Sequence, residues 1–151
     1  MTRASSAVTR PHTGRSPVCT VAVGVAVAFL ALGILGFIPE ITSRYGDLRI
    51  AGHRSDARLF GLFEVSVLHN LVHLCTGVAG LLLARTVAGA RTFLVGGGAL
   101  YLVLVVYGVA IEQDGAANFL PVNDADNWLH LGLGLVMLGL AALSGRRRDG
   151  R

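Results

Sequence analysis

The feature that most constrains this chain is an uninterrupted apolar run near its N-terminus, Val18 to Ile38, which contains no charged residue. About 20 apolar residues cross the hydrocarbon core of a bilayer as one α-helix. A cleaved signal peptide has a shorter apolar region followed by small residues at its cleavage site, whereas this run ends in GFIPE. The run therefore predicts a retained transmembrane helix.

Composition extends this prediction to the whole chain. Of its 151 residues, 53% are hydrophobic and only 15% are charged, compared with about 25% charged residues in soluble domains. The predicted spans are residues 18–38, 62–84, 93–111 and 127–144. The expected fold is an all-α integral membrane four-helix bundle over residues 18–145. A disordered cytoplasmic tail, 1–17, would precede it, and a basic cytoplasmic tail, 146–151, would follow it.

The orientation follows from arginine, which supplies all 13 basic residues. With the N-terminus inside, the inner segments hold nine arginines and the outer segments four. The positive-inside rule then predicts a multi-pass protein of the cell or inner membrane with both termini in the cytoplasm. Because these arginines flank apolar spans, the lipid bilayer is the expected partner and nucleic acid is not. The small soluble mass favours a homo-oligomer or a larger membrane complex.

A faint internal repeat connects the second and fourth spans. NLVHLCTGVAGLLLA (Asn70–Ala84) aligns without gaps on NWLHLGLGLVMLGLA (Asn127–Ala141) and matches it at seven of 15 positions. The informative matches are Asn, His and Gly. The spans would then form two tandem helical hairpins, related by an axis along the membrane normal.

Four segments, FEVSVLHNLVHL, GVAGLLLAR, GGGALYLVLVVYG and ANFLPVNDADNWLHLGLG, resemble in order and spacing a family of small bacterial four-span membrane proteins. That family is catalogued as domain of unknown function 4383. The resemblance covers Val18 to Gly145 and implies a four-helix integral membrane protein. It supplies no catalytic residues to transfer to this chain.

The candidate intramembrane polar site consists of His69, Asn70, His73, Asn127 and His130. His69 and His73 are four residues apart and share one helix face with small residues, whereas the opposite face is bulky and apolar. Small and polar residues in a membrane helix face a neighbouring helix. The repeat makes His73 and His130 equivalent. A fourth span that starts at Asn127 would nevertheless place His130 at a shallower depth than His73.

Three functions fit these residues. The favoured one is a non-enzymatic structural or accessory protein whose His and Asn side chains hydrogen-bond between helices. The second is a small proton or cation transporter, because intramembrane ionisable groups mark ion pathways. The third is a haem- or metal-bearing redox protein with His73 and His130 as ligands. The sequence predicts no catalytic residue, and no cofactor is the leading expectation.

Two acidic residues are secondary candidates. Glu64 lies about 180° around the second helix from His73, so it is expected to pair with Arg58 or to reach the lipid headgroups. Asp126 or Asp124 is expected to cap the fourth helix, because carboxylates are favoured at a helix N-terminus.

Overall fold

The computed structural model describes residues 16–146 and contains four helices and one small sheet. The helices are α1 (Pro17–Leu35), α2 (Val67–Leu83), α3 (Val87–Ala110) and α4 (Asp124–Arg146). The strands are β1 (Thr42–Ser43), β2 (Arg58–Leu59) and β3 (Phe63–Glu64). The fold is mostly helical with four helices, as predicted, and it also contains a small sheet that the all-α prediction did not include. Two predicted segments lie almost wholly outside the described residues. Of the tail predicted at 1–17 the structure describes Ser16 and Pro17, and of the tail predicted at 146–151 it describes Arg146.

Two of the predicted spans start at a different residue from the helices of the structure. Residues 62–66 are apolar enough to resemble a helix, but β3 occupies part of them, and Ser66 caps α2 by accepting a hydrogen bond from the His69 N–H at 3.1 Å. α4 starts at Asp124 rather than at residue 127, because Asn123 caps it by accepting a hydrogen bond from the Asp126 N–H at 3.0 Å. Capping side chains therefore fix both helix starts.

The other boundaries differ for similar local reasons. α3 starts at Val87 rather than residue 93, since the Thr86 hydroxyl accepts a hydrogen bond from the Gly89 N–H at 3.0 Å. Most of the connection predicted at residues 85–92 is thus helical. α1 ends at Leu35, before the predicted limit of residue 38, and Pro39 disfavours helical geometry in the residue that precedes it.

The three strands form an antiparallel sheet in the order β1-β2-β3. Thr42 pairs with Leu59, and Leu59 also pairs with Phe63. Leu59 is buried with Ala57 and Val65, and the C-terminal end of α1 packs against this small cluster. The sheet and its loops therefore cover the end of the helices at which α1 ends and α2 begins.

The helices pack as two antiparallel pairs, α1 with α2 and α3 with α4. Glycines make this close approach possible, because a Cβ added at Gly77 would meet the Ala26 carbonyl oxygen at 2.8 Å. In the second pair, a Cβ added at Gly134 would meet the Gly98 carbonyl oxygen at 3.1 Å. Small residues at such contacts are typical of helix pairs in membranes.

Within residues 16–146, three helices are long and apolar enough to cross a membrane: Pro17–Leu35, Val87–Ala110 and Asp124–Ser144. α2 is also apolar but has 17 residues, or about 26 Å at the usual rise per residue. Large apolar side chains remain exposed on the outside of the helices, such as Val106 at 69% and Val109 at 72%. These lengths and surfaces indicate a membrane location.

Candidate functional site

Three buried histidines converge between the two helix pairs. His69 and His73 come from α2 and His130 comes from α4. One ring nitrogen from each residue lies within 4.8 Å of the other two. The residues are 3%, 5% and 1% exposed, respectively. We call these three residues the histidine cluster.

His73 and His130 lie at matched depth. Each is six residues beyond the first residue of its helix, Val67 in α2 and Asp124 in α4. The different depths expected from the predicted spans are therefore wrong, because one span was started too early and the other too late. The aligned repeat also brings the capping residues Ser66 and Asn123 to equivalent positions.

One hydrogen bond fixes the chemical form of His69. Its Nδ1 lies 3.1 Å from the carbonyl oxygen of Pro121, in the loop that precedes α4. A carbonyl oxygen can only accept a hydrogen bond, so Nδ1 carries the proton and donates it. The Nε2 of the neutral ring is then the atom with a free lone pair, as in histidines that bind metals.

The ring nitrogens of the other two histidines are less well satisfied. The Nδ1 atoms of His73 and His130 are buried and have no hydrogen-bond partner among the described residues. Buried polar atoms are nearly always paired, so each exception needs an explanation. Two such atoms lie in this one cluster.

Two aromatic rings close the cluster on the side facing the middle of the helices. Phe29 of α1 and Tyr101 of α3 stack with their ring centroids 5.2 Å apart and their planes 6° apart. Phe29 also lies 5.9 Å from the His73 ring, and Tyr101 lies 5.3 Å from the His130 ring. Each helix pair thus places one aromatic ring against one of its own histidines, with the ring planes 29° apart for Phe29 and His73 and 50° apart for Tyr101 and His130.

Asn70 and Asn127 take equivalent places beside the cluster, each against a glycine of its partner helix. A Cβ added at Gly36 would collide with the Asn70 amide, and one added at Gly108 would collide with the Asn127 amide. Both Asn70 amide atoms and the Asn127 Oδ1 are buried without a partner among the described residues. The two asparagines therefore pack closely between helices, and within residues 16–146 these three amide atoms make no interhelical hydrogen bond.

Asp126 and Glu64 lie above the cluster, where the loops meet the helices. The Asp126 Oδ2 accepts hydrogen bonds from the backbone N–H groups of Asn123 and Glu64, both at 3.0 Å. The Asp126 N–H in turn donates to the Asn123 Oδ1, so the two residues form a reciprocal cap in which Asn123 is the N-cap residue and Asp126 is the member that the sequence had proposed. Asp126 also connects α4 to β3.

The predicted pairing of Glu64 with Arg58 is confirmed. The Arg58 Nη2 lies 3.2 Å from the Glu64 Oε1. Burial raises the pKa of Glu64 above its ordinary value, and the neighbouring Arg58 opposes that rise. Glu64 thus belongs to the loop region and not to the histidine cluster.

Among the predicted site residues, the structure brings His69, His73 and His130 together and places both asparagines beside them. Sequence reasoning included His69 in the candidate polar site but proposed only His73 and His130 as metal ligands. It missed Phe29 and Tyr101. These two are 72 positions apart, as are Gly36 and Gly108, so a search for the repeat in the first and third helices could have found them.

Comparison with protein families gives one match. The matching family is described as domain of unknown function (DUF4383), and its model covers residues 20–143 of the chain. Neither the curated proteins nor the solved structures that were compared match this chain significantly.

Proposed function

This chain belongs to the DUF4383 family, and from its histidine cluster we propose that it is a non-enzymatic membrane protein that binds one divalent transition-metal ion between its two helix pairs. The observation that carries the proposal is the convergence of three buried histidines whose ligand atoms lie within 4.8 Å of one another. Imidazole nitrogen is a preferred ligand of Zn²⁺, Cu²⁺, Fe²⁺ and Ni²⁺.

The geometry requires only a small adjustment to hold such an ion. Zinc–nitrogen bonds of about 2.0–2.1 Å in a tetrahedral site place ligand nitrogens about 3.3 Å apart. A contraction of roughly 1.5 Å from the present limit can come from rotation about the side-chain bonds of His73 and His130, since their Nδ1 atoms have no partner to lose. His69 already directs its unprotonated Nε2 away from Pro121.

The aromatic rings make haem a poorer fit. A haem between His73 and His130 would need a flat space between the helix pairs. Phe29 and Tyr101 fill the space beside the two histidines and are 1% and 2% exposed. A single ion needs no displacement of either ring.

Interhelical hydrogen bonding, the function favoured by the sequence, accounts for less of the site. In that role His73 and His130 would find partners on neighbouring helices, yet their Nδ1 atoms have none among residues 16–146. A metal ion would supply the missing partner for both rings and would link α2 to α4.

The expected consequence of metal binding is stability rather than catalysis. The three histidines are at most 5% exposed, beneath the loop that contains Pro121 and against the stacked rings, which favours a structural ion over a catalytic one. An ion that binds only the folded state stabilises it by about 2.7 kcal/mol when its free concentration is about 100 times Kd.

The test is a metal titration of the full-length protein, purified in mild detergent with a tag that contains no histidine and stripped with a chelator. We expect one Co²⁺ per chain, with the visible absorption of a tetrahedral site, and displacement of the Co²⁺ by Zn²⁺. His130→Ala removes a ligand. The variant should lose more than the about 10- to 100-fold in metal affinity that is typical when only a hydrogen-bonding partner of a ligand is removed.

His53→Ala is the matched control, because His53 lies in the outer loop and is partly exposed. It should leave both the stoichiometry and the spectrum unchanged. A wild-type protein that shows no Co²⁺ spectrum, or equal losses in the two variants, would contradict the metal site.

We also propose that all four helices cross the cell membrane, with both termini in the cytoplasm. The arginine asymmetry supports this orientation, and the apolar outer surface of the helices supports lipid contact. Reporter fusions at the C-terminus and within residues 51–54 should report opposite sides of the membrane. The same side for both would contradict the proposed topology.

A further inference from the structure

A cavity lies at the opposite end of the helices from the histidine cluster. It has a volume of about 430 Å³ and is formed by the N-terminal ends of α1 and α3 and the C-terminal end of α4. Val18, Val21, Val87 and Leu140 give it an apolar wall. Its size falls in the range of small-molecule sites, about 300–1,000 Å³.

Arg91 is the charged residue of this cavity. Its Nη2 donates a hydrogen bond to the Ser144 carbonyl oxygen at 3.3 Å, while its Nε is buried without a partner. Within residues 16–146 no carboxylate forms an ion pair with Arg91, since the ion pairs there are those of Arg44 and Arg58. A guanidinium with a free, buried N–H is thus held beside an apolar cavity.

Two of the three helix ends that form the cavity add positive charge, whereas the C-terminal end of α4 carries the opposite partial charge and has its Ser144 carbonyl bonded to Arg91. α1 and α3 both begin at this cavity, at Pro17 and Val87. A helix N-terminus carries a partial positive charge from its free N–H groups. The cavity therefore combines a positive polar end with an apolar wall.

We propose that this cavity binds an anionic phospholipid, with its phosphate on Arg91 and an acyl chain along the wall formed by Val21 and Leu140. Arginine matches phosphate oxygens with several N–H donors in a fixed plane. Under the proposed orientation the cavity opens at the cytoplasmic leaflet, where anionic lipids are concentrated and basic pockets between helices bind their headgroups.

The test measures lipid retention by native mass spectrometry on the full-length protein after delipidation in detergent. The probes are phosphatidylglycerol, phosphatidylcholine with the same acyl chains, and inorganic phosphate. We expect phosphatidylglycerol to bind about tenfold more tightly than phosphatidylcholine, because both lipids offer a phosphate to Arg91 but the choline group adds a positive charge beside it, and the repulsion between like charges a few ångströms apart is of that order. Inorganic phosphate, which lacks the acyl chain, should not displace it at equal concentration.

Arg91→Gln should remove the preference for phosphatidylglycerol. Arg85→Gln is the matched control, because Arg85 is an exposed arginine in the α2–α3 turn and does not line the cavity. Val21→Phe, which keeps the charge but narrows the cavity, should weaken both lipids. Each variant is also checked for folding. If the wild type binds Co²⁺ at the histidine cluster, a folded variant retains that binding. If it does not, an unchanged elution volume shows that the variant is folded.

Three results would overturn the proposal. Equal retention of the two lipids by the wild type would remove the role of charge. Equal losses in Arg91→Gln and Arg85→Gln would assign the effect to the general positive charge of this end. Displacement of phosphatidylglycerol by equimolar inorganic phosphate would show that the cavity binds a free anion and not a lipid.

Discussion

Replacement of Asp126 by alanine should be among the most destabilising single changes at the loop end of the molecule. The carboxyl group is 1% exposed, and its Oδ2 accepts the backbone N–H groups of Asn123 and Glu64. An unsatisfied buried donor costs about 1–3 kcal/mol. Because both donors are only partly buried, water can reach part of the gap. We therefore expect Asp126→Ala to lower the free energy of unfolding by about 2–4 kcal/mol.

The matched control is Asp124→Ala, in the same first turn of α4. Asp124 is exposed and accepts one hydrogen bond, from Gln113 at 2.8 Å. Both carboxylates gain about 0.3–1 kcal/mol from the helix dipole, so that contribution cancels between the two variants. Asp124→Ala should cost less than about 1 kcal/mol.

The measurement is reversible unfolding of the detergent-solubilised protein in a denaturing-detergent titration, followed by circular dichroism. Losses of similar size in Asp124→Ala and Asp126→Ala would refute the reasoning, because the two buried bonds to Asp126 would then contribute nothing. Metal affinity is a second readout. Asp126 connects α4 to β3, next to the start of α2, so Asp126→Ala should also weaken Co²⁺ binding, whereas Asp124→Ala should not.

Two further predictions follow from packing and charge. Overpacking against the asparagines should lower the free energy of unfolding by about 1–3 kcal/mol in Gly36→Ala and in Gly108→Ala. Gly24→Ala is the control, because a Cβ added there has no neighbour within 4 Å. It should be neutral or stabilising in the same unfolding titration. Burial raises the pKa of Glu64 above its ordinary 4.5, so stability should fall as pH rises from 4.5 through the raised pKa. Arg58→Gln should raise the pKa of Glu64 further and so enlarge this loss of stability. The measurement is the unfolding midpoint at a series of pH values. A pH profile that is the same in wild type and Arg58→Gln would contradict the prediction.

The sequence predicted the number of helices and the residues of the polar site because both depend on patterns within single helices. It did not predict the helix boundaries, since apolar strand residues such as Phe63 have the same hydropathy as helix residues. The strands are two residues long, too short for an alternating pattern to appear. The shallow depth expected for His130 was wrong because the polar first turn of α4 was read as loop, and depth depends on which residue caps the helix.

His69 was left out of the predicted ligand pair for a different reason, which the internal repeat explains. Position 69 aligns with position 126, so the equivalent of His69 in the second helix pair is Asp126. Each of these side chains reaches the backbone that precedes the opposite helix: His69 bonds to the Pro121 carbonyl, and Asp126 bonds to the Glu64 N–H. Pro121 and Glu64 are themselves equivalent in the repeat.

Sequence identity is lost at this pair of positions, but their geometry is retained. The His69 ring donates a hydrogen bond, whereas the equivalent Asp126 carboxylate accepts one. Together these two bonds join each helix pair to the loop that precedes the second helix of the other pair. The cluster consequently has three histidines rather than four, because the fourth equivalent position holds a carboxylate that binds the loop backbone. The cap and the histidine cluster therefore form one unit, and for this reason Asp126→Ala, which removes no ligand, is expected to affect metal binding.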